Sequence, residues 1–344
     1  MGGLAIPNAQ RMSRERFDEV SQLVRSALWQ ITKNSFVVPA YSEKDSFGDI
    51  DIVVMNYSDY RVRAHNAIMC NPDLALDKTK PIQFVKNGPV TSYEILGHQV
   101  DLIFENEDSF DFACNYYSYN DLSNLIGRIT HKMGFKFGHN GLWYILRDGD
   151  RVIKEILITD SYKRALDVFS FSYERYKLGF KNLQEIFEYI SSNIYFNPDI
   201  YLLENRNHTA RVRDRKRKTY MSFLEYCSKT HFEHIYYFDE DKTKYLKMMF
   251  DYFPQFKEEY DNAIANDEIK KLAKTKLTTQ LIIDHTGLSG KQLGQYISAT
   301  VDVYKNTQDW YDLIIKTSVE DILKIMDKNY DDIRNISSDD TNSN

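Results

Sequence analysis

Cysteine is scarce in this chain. Cys70, Cys114 and Cys227 are three among 344 residues, scattered, odd in number and without a Cys-x-x-Cys pair. That excludes a disulfide framework and a zinc ribbon, and it fits reduced thiols in a cytoplasm-like compartment. No apolar run approaches the roughly 18 residues of a membrane span, so no membrane partner is expected. The N-terminus has no basic-then-apolar leader pattern. A basic excess is missing too. With 44 Lys+Arg against 50 Asp+Glu the formal net charge is −6, so any contact with nucleic acid must come from a local patch. There is no P-loop, no Gly-x-Gly-x-x-Gly and no internal repeat. His231 and His234 have no third ligand close in sequence and are not read as a metal pair.

Aromatic residues are abundant instead, with 25 Tyr and 20 Phe, and the length suffices for two domains with real cores. The first, residues 1–160, alternates helix and strand. Phe17, Val20, Leu23, Val24, Ala27, Leu28 and Ile31 recur at helical spacing after a Ser13 N-cap. Short strands follow at Phe36–Val38, Ile50–Met55 and Gln99–Phe104. A hairpin turns at Gly88-Pro89 and another at Asp148-Gly149-Asp150. From about Tyr162 only helical patterns remain: 171–194, 219–227, 242–253, 256–282, 290–304 and 310–326. The expected second domain, 161–331, is therefore all-α, and the polar tail 332–344 is expected to be disordered.

"SFGDIDIVVMN" sets Asp49 and Asp51 two residues apart on a strand, so both project from one face while Ile50 and Ile52 point into the core. Paired carboxylates resist joint ionisation unless a cation lies between them. A hard divalent ion such as Mg²⁺ is the natural partner, since it takes oxygen ligands and keeps waters for a phosphate. "GHQVDLIFEN" offers Asp101 on another apolar strand. If the strands are neighbours, three carboxylates converge as two-metal phosphoryl or nucleotidyl transfer requires. The plainer alternative is a turn aspartate, a solvent-facing strand aspartate and an unrelated Asp101.

Over Arg11–Tyr144 the chain resembles the polymerase-beta nucleotidyltransferase superfamily, and within it the palm of the family X DNA polymerases. "GDIDIVV" is similar to the paired metal aspartates and "VDLIF" to the third. "RMSRERFDEV" resembles the start of the palm, and "HKMGFKFGHNGLWY" its closing Gly-hydrophobic strand segment. "FACNYYSYNDLSNLIGR" resembles the segment that holds the incoming nucleotide: Tyr116 and Tyr117 are followed by Asn124, eight residues after Tyr116, and by Arg128 four later. The resemblance implies an α+β chain, a palm with a mixed β-sheet followed by an all-α domain. It implies Asp49, Asp51 and Asp101 as catalytic ligands of Mg²⁺, or Mn²⁺ in its place, with Asp101 base-like near the primer hydroxyl. Tyr116 and Tyr117 would meet sugar and base, Asn124 the base edge, and Arg128 the nucleotide or template. Core packing and a solvated helix face are the plainer alternatives for these four.

The chain departs from that pattern before the aspartates. The family's Gly-Ser, which cradles triphosphate, is replaced by Pro39-Ala40 in a loop about one residue short. Ser42 and Lys44, with Gly48 beside the aspartates, are the substitutes offered, by hydroxyl donor and point charge. The Thr-Gly-Ser after the aromatic pair is Ser118-Tyr119-Asn120. The resemblance starts at Arg11, so no counterpart of the family's N-terminal lyase domain is expected and gap-filling repair is not implied.

In the second half "NRNHTARVRDRKRKTYMSFLEYC" gathers Arg206, Arg211, Arg213, Arg215, Lys216, Arg217 and Lys218 against Asp214. Such a run suits a phosphate backbone; a solvated loop paired with nearby acids is the alternative. "HTGLSGKQLGQYI" is similar to a segment of bacterial CCA-adding enzymes and poly(A) polymerases, and also reads as helix cap, turn and helix. The whole resembles nucleotidyltransferases of large tailed bacteriophages. The expected function is Mg²⁺-dependent transfer of a nucleotide from an NTP or dNTP to a 3′-hydroxyl of RNA, tRNA or DNA. The alternatives are modification of a protein or small molecule, and a non-catalytic nucleotide-binding relict.

Overall fold

The computed structural model describes residues 5–339 except Ser58, Lys305 and Asn306. In chain order the elements are β1 (Met12–Ser13), α1 (Arg14–Leu28), β2 (Ser35–Val37), β3 (Ser46–Phe47), β4 (Asp49–Met55), α2 (Tyr60–Met69), β5 (Phe84–Asn87), β6 (Val90–Ile95) and β7 (His98–Glu105). Next come α3 (Glu107–Tyr117), α4 (Leu122–Lys132), β8 (Lys136–Gly138), β9 (Gly141–Asp148) and β10 (Arg151–Thr159). The remainder is helical: α5 (Tyr162–Val168), α6 (Tyr173–Lys177), α7 (Leu183–Ser191), α8 (His208–Arg215), α9 (Lys218–Lys229), α10 (Thr243–Tyr252), α11 (Pro254–Lys276), α12 (Thr279–Thr286), α13 (Gly290–Val301), α14 (Thr307–Lys316) and α15 (Val319–Asp339). The class is α+β with a mixed sheet and a helical C-terminal region.

The central sheet has the order β2-β4-β7-β6-β5. β4 and β7 run parallel and the other neighbours are antiparallel. Strand alternation sorts its side chains. Ile50, Ile52 and Val54 join the core that includes Phe17, Val20, Val24 and Leu28 of α1 and Ala64 and Ile68 of α2. Val53 packs with Ala113 and Cys114 of α3 on the opposite face. Asp51 and Asp49, two and four residues before Val53, share that α3-facing side. α1 starts where the Ser13 side chain accepts the Arg16 N–H, and its buried stripe at Phe17, Val20, Val24 and Leu28 has the helical period.

The chain divides differently from the expected boundary at residue 160. One compact unit is Met1–Ile145 with Glu155–Phe256, and the other is Leu146–Lys154 with Lys257–Asn344. α5 to α10 belong with the sheet because their aromatic residues bond its helices. The Tyr176 hydroxyl donates to the Asn115 carbonyl, the Tyr201 hydroxyl donates to the Leu125 carbonyl, and Ser123 and Tyr162 share a hydroxyl contact. Three long helical patterns are broken in the structure. Gly179, with φ +72°, separates α6 from α7. Thr278 caps α12 by accepting from the Leu281 N–H, and Ser318 caps α15 by accepting from the Asp321 N–H. The tail expected to be disordered from 332 is helical through Asp339, and 340–344 lie outside the described residues.

The second unit has its own core, with Ala273, Ile282, Tyr296, Trp310, Ile322 and Met326. Gly287 closes α12 in the left-handed region at φ +67°, the helix cap and turn expected of that glycine-punctuated stretch. In the hairpin tip, Arg151 bonds both carboxylate oxygens of Asp267 at 2.8 Å, and Lys271 bridges Asp148 and Asp267. The Arg151 guanidinium, more than the opposing burial or the Lys271 contact, holds the Asp267 carboxyl well below the usual carboxylate range. A depressed folded pKa gives stability that is present above the unfolded value and is lost as pH falls through the folded one. Calorimetry is expected to show the thermal midpoint of this unit falling on acidification below about pH 4, with Asp267→Asn removing part of that pH dependence. An identical acid slope in the variant would refute the assignment.

Candidate metal and nucleotide site

β4 and β7 pair in parallel register with Asp51 opposite Asp101 and Asp49 opposite Gln99. One carboxylate oxygen from each of Asp49, Asp51 and Asp101 lies within 4.8 Å of the others. Among the described residues no other group of three or more His, Cys, Asp or Glu side chains converges in this way. Burial is the main reason that Asp51 holds a proton well above the usual carboxylate range; the charges of Asp49 and Asp101 add to it, and Lys44 partly opposes. Asp101 is raised as well, mainly by burial, with hydrogen bonds from Ser92 and Gln99 pulling the other way. Three oxygen donors that repel one another fit a hard divalent cation, which removes the repulsion and needs no soft ligand.

Two residues beside this cluster carry no motif and escape a reading of the sequence. Gln99 is 2% exposed, and its amide nitrogen donates to both Asp101 oxygens, at 2.9 and 3.1 Å. Its own carbonyl accepts the N–H groups of Ala5 and Ile6. Ser92 lies opposite Asp101 across the β6–β7 pair. A polar residue two before Asp101 on an apolar strand is the only signal that marks Gln99 in advance.

The loop before the aspartates is tied down on both sides. Arg14, from the first turn of α1, donates to the carbonyls of Tyr41, Ser42 and Lys44. The Ser42 and Glu43 N–H groups donate to the Phe180 and Lys181 carbonyls at 2.9 and 2.8 Å, and the Lys44 N–H donates to Tyr41. The backbone N–H groups of 42–44 therefore do not form an anion nest, and the Ser42 contribution is reduced to its hydroxyl on an exposed residue. Lys44 sits over the Phe47 ring at 4.8 Å. Its ammonium is pulled below the usual lysine range by burial, against the fields of Asp49 and Asp51, which raise it. Gly48 directly precedes β4.

Tyr116 and Tyr117 end α3 with their rings perpendicular, 5.5 Å between centroids, and Tyr117 stacks on His139 at 6.1 Å. Burial raises the Tyr117 phenol, and the Glu105 and Asp51 charges add to the rise, which sets this ring in the field of the carboxylate cluster. Tyr119 and Asn120 then take left-handed φ of +61° and +64°. A bulky residue is rarely left-handed. Here the Tyr119 ring packs on Tyr176 and Phe180, and its N–H donates to the Pro39 carbonyl. Asn124 and Arg128 lie one turn apart on α4, and the Asn124 Nδ2 and Arg128 Nε atoms are buried without a hydrogen-bond partner. Unsatisfied donors in native proteins are uncommon and call for an explanation such as a ligand.

The basic run folds back onto this segment. Arg213 reaches the Asn124 Oδ1 at 3.5 Å, and Arg217 pairs with Asp121. Arg206 departs from the expected role: it is 8% exposed and bonds the fully buried Asp214, so it is a structural cation unable to meet a phosphate. Arg213 also bonds Asp214, through Nε. Arg215, Lys216 and Lys218 are exposed. The chain matches no family model and no curated protein sequence.

Removing the carboxylate of a buried ion pair strands its partner at a cost of about 3–5 kcal/mol. Asp214→Ala is expected to lower the denaturant midpoint accordingly, whereas Arg215→Gln leaves it within about 0.5 kcal/mol of wild type. Equal effects of the two in urea titrations would refute this inward and outward partition of the run.

Proposed function

We propose that the chain is a metal-dependent nucleotidyltransferase that moves a nucleotide from an NTP or dNTP to the 3′-hydroxyl of a nucleic acid. The observation that carries this reading is the in-register pair of Asp51 and Asp101, with Asp49 joined to them within 4.8 Å. Mg²⁺, or Mn²⁺, would be held by these three carboxylates and would supply charge neutralisation and Lewis-acid polarisation for an in-line displacement. In that displacement the 3′-oxygen bonds to the α-phosphorus, the bond to the β-phosphate oxygen breaks, and pyrophosphate leaves. Asp101 takes the hydroxyl proton at a carboxylate oxygen, and Gln99 fixes its rotamer by donating to both of its oxygens. Lys44 meets the triphosphate as a point charge beside Asp49 and Asp51, with the Ser42 hydroxyl as a further donor. Tyr116 and Tyr117 supply flat faces to sugar and base, and the unpartnered nitrogens of Asn124 and Arg128 supply donors.

One observation favours a second reading, a nucleotide-binding relict. The Ser42 and Glu43 N–H groups that would cradle phosphates are given to Phe180 and Lys181. Calorimetry with Mg²⁺ and each NTP, run beside an incorporation assay with RNA, tRNA, DNA and protein, separates the two, because saturable binding without incorporation is the signature of the relict.

Asp49→Asn with Asp51→Asn is expected to reduce incorporation of labelled nucleotide into RNA or DNA primers more than about 100-fold and to abolish Mg²⁺ binding in calorimetry. Survival of either property sinks the assignment. Lys44→Ala is expected to raise the KM for the nucleotide about tenfold, the loss of one charge-assisted contact, with a smaller change in kcat. A KM equal to that of wild type would remove Lys44 from the nucleotide site.

A further inference from the structure

We infer that the segment Arg211–Lys218 is the outer wall of the same site and grips the phosphates of a single-stranded acceptor end. Its 3′-terminal bases lie over Tyr116 and Tyr117. The inference rests on the proposed transfer reaction for the direction of the strand, and on the geometry of α3, α4 and α8 for the rest.

Three observations carry it. First, α8 and the start of α9 are anchored to α4 by Arg213 on Asn124 and Arg217 on Asp121, so the cations belong beside the aromatic pair. The Tyr116 phenol, raised by burial, is drawn back by the fields of Arg217 and Arg213, while Tyr117 feels Asp51. Tyr117 also packs on the Val53 cluster, on the face of β4 that carries Asp49 and Asp51, so the two rings adjoin the carboxylates on one side and the cations anchored to α4 on the other. Second, the buried Asn124 Nδ2, Arg128 Nε and Arg211 Nε lack partners, three donors on the two helices that Arg213 and Asn124 join, which a phosphate or base oxygen would satisfy. Third, Arg206 and the residues from Arg211 to Lys218 hold seven cations against Asp214 and Asp121, a local surplus of five on a chain of net charge −6. Arg215, Lys216 and Lys218 are exposed and lie outside the ion pairs of the described residues.

That charge order accords with the strand direction taken from the transfer reaction: phosphates are repelled by the three carboxylates and drawn to α8, so a terminal hydroxyl is the end that approaches Asp101. It also selects the form of the acceptor. Rings that are half-buried and set edge to face offer stacking surfaces to unstacked bases, which a duplex withholds. An acidic protein segment would satisfy the cations but has no use for the rings.

The test is fluorescence anisotropy with dye-labelled single strands of about 15 nucleotides, RNA and DNA, and duplexes of the same length. It is run from about 50 to 200 mM salt without divalent ions or nucleotide. Wild type is expected to prefer either single strand to its duplex. The variant Arg215→Gln/Lys216→Gln/Lys218→Gln is expected to keep the wild-type melting temperature, to lower the log–log salt slope by about 2 and to weaken binding at least about tenfold. A strand with a photoreactive base at its 3′ end is expected to label the helix Glu107–Tyr117. An unchanged slope, a preference for duplex, labelling elsewhere, or equal competition by polyglutamate would each overturn the inference. Asp49→Asn/Asp51→Asn is expected to bind the strands at least as tightly as wild type does, since it removes two repelling charges. If wild type bound them with the expected slope yet transferred nothing, the transfer reading would fall and this wall would stand.

Discussion

Two neighbouring strands run parallel in a register that sets Asp51 directly across from Asp101, and Asp49 follows from strand periodicity. The apolar alternation that buries Ile50, Ile52 and Val54 on one face leaves the carboxylates no other side to occupy. A slip of one residue would turn the carboxylates into the core of α1 and α2 and the isoleucines out of it, so the core enforces the electrostatic tension at the site. Gln99 and Ser92 moderate that tension at Asp101 by donating to it. At Asp51 burial and two like charges act together, and Lys44 opposes them only in part. The proposed reaction depends on this imbalance, since a compact cluster of oxygen donors gains more from a bound cation than a relaxed one would.

Around the cluster, support comes from distant parts of the chain. Arg14 gathers three carbonyls of the 41–44 loop, while Phe180 and Lys181 take its N–H groups. The loop is thereby a fixed strut, and in the proposed reaction the triphosphate would be met by side chains and not by its backbone. Left-handed Tyr119 lies where the resemblance has a glycine. Strain of that kind is of order 1–3 kcal/mol per residue, and it is sustained by ring packing on Tyr176 and Phe180 and by the bond to Pro39.

The strands and their aspartates were legible because period-two alternation is local. So were the hairpin turns, the first helix with its serine cap, and the helical character of the second half. The breaks at Gly179, Thr278 and Ser318 were harder to see because the apolar pattern runs on across them. Arg206 could not be separated from its neighbours by composition. Its inward turn depends on the buried Asp214 eight residues away. The loss of the loop's free N–H groups left no trace at all, since their acceptors lie near residue 180 and carbonyls carry no sequence identity. The boundary expected at 160 failed to foresee that tyrosines 176 and 201 would bond the backbone of α3 and α4.

The hairpin of β9 and β10 has one more consequence. Its tip, Leu146–Lys154, is counted with the helices that follow Lys257, so the polypeptide passes between the two units three times. The second unit is consequently no detachable appendage. A stop codon after Phe256 would leave Asp148, Arg151 and Lys154 without Lys271, Asp267 and Glu259, and a gene fragment beginning at Lys257 would lack the other half of the same ion cluster. Recombination and gene fusion can therefore exchange this unit only together with the hairpin, which binds the evolution of the C-terminal helices to that of the sheet-bearing unit.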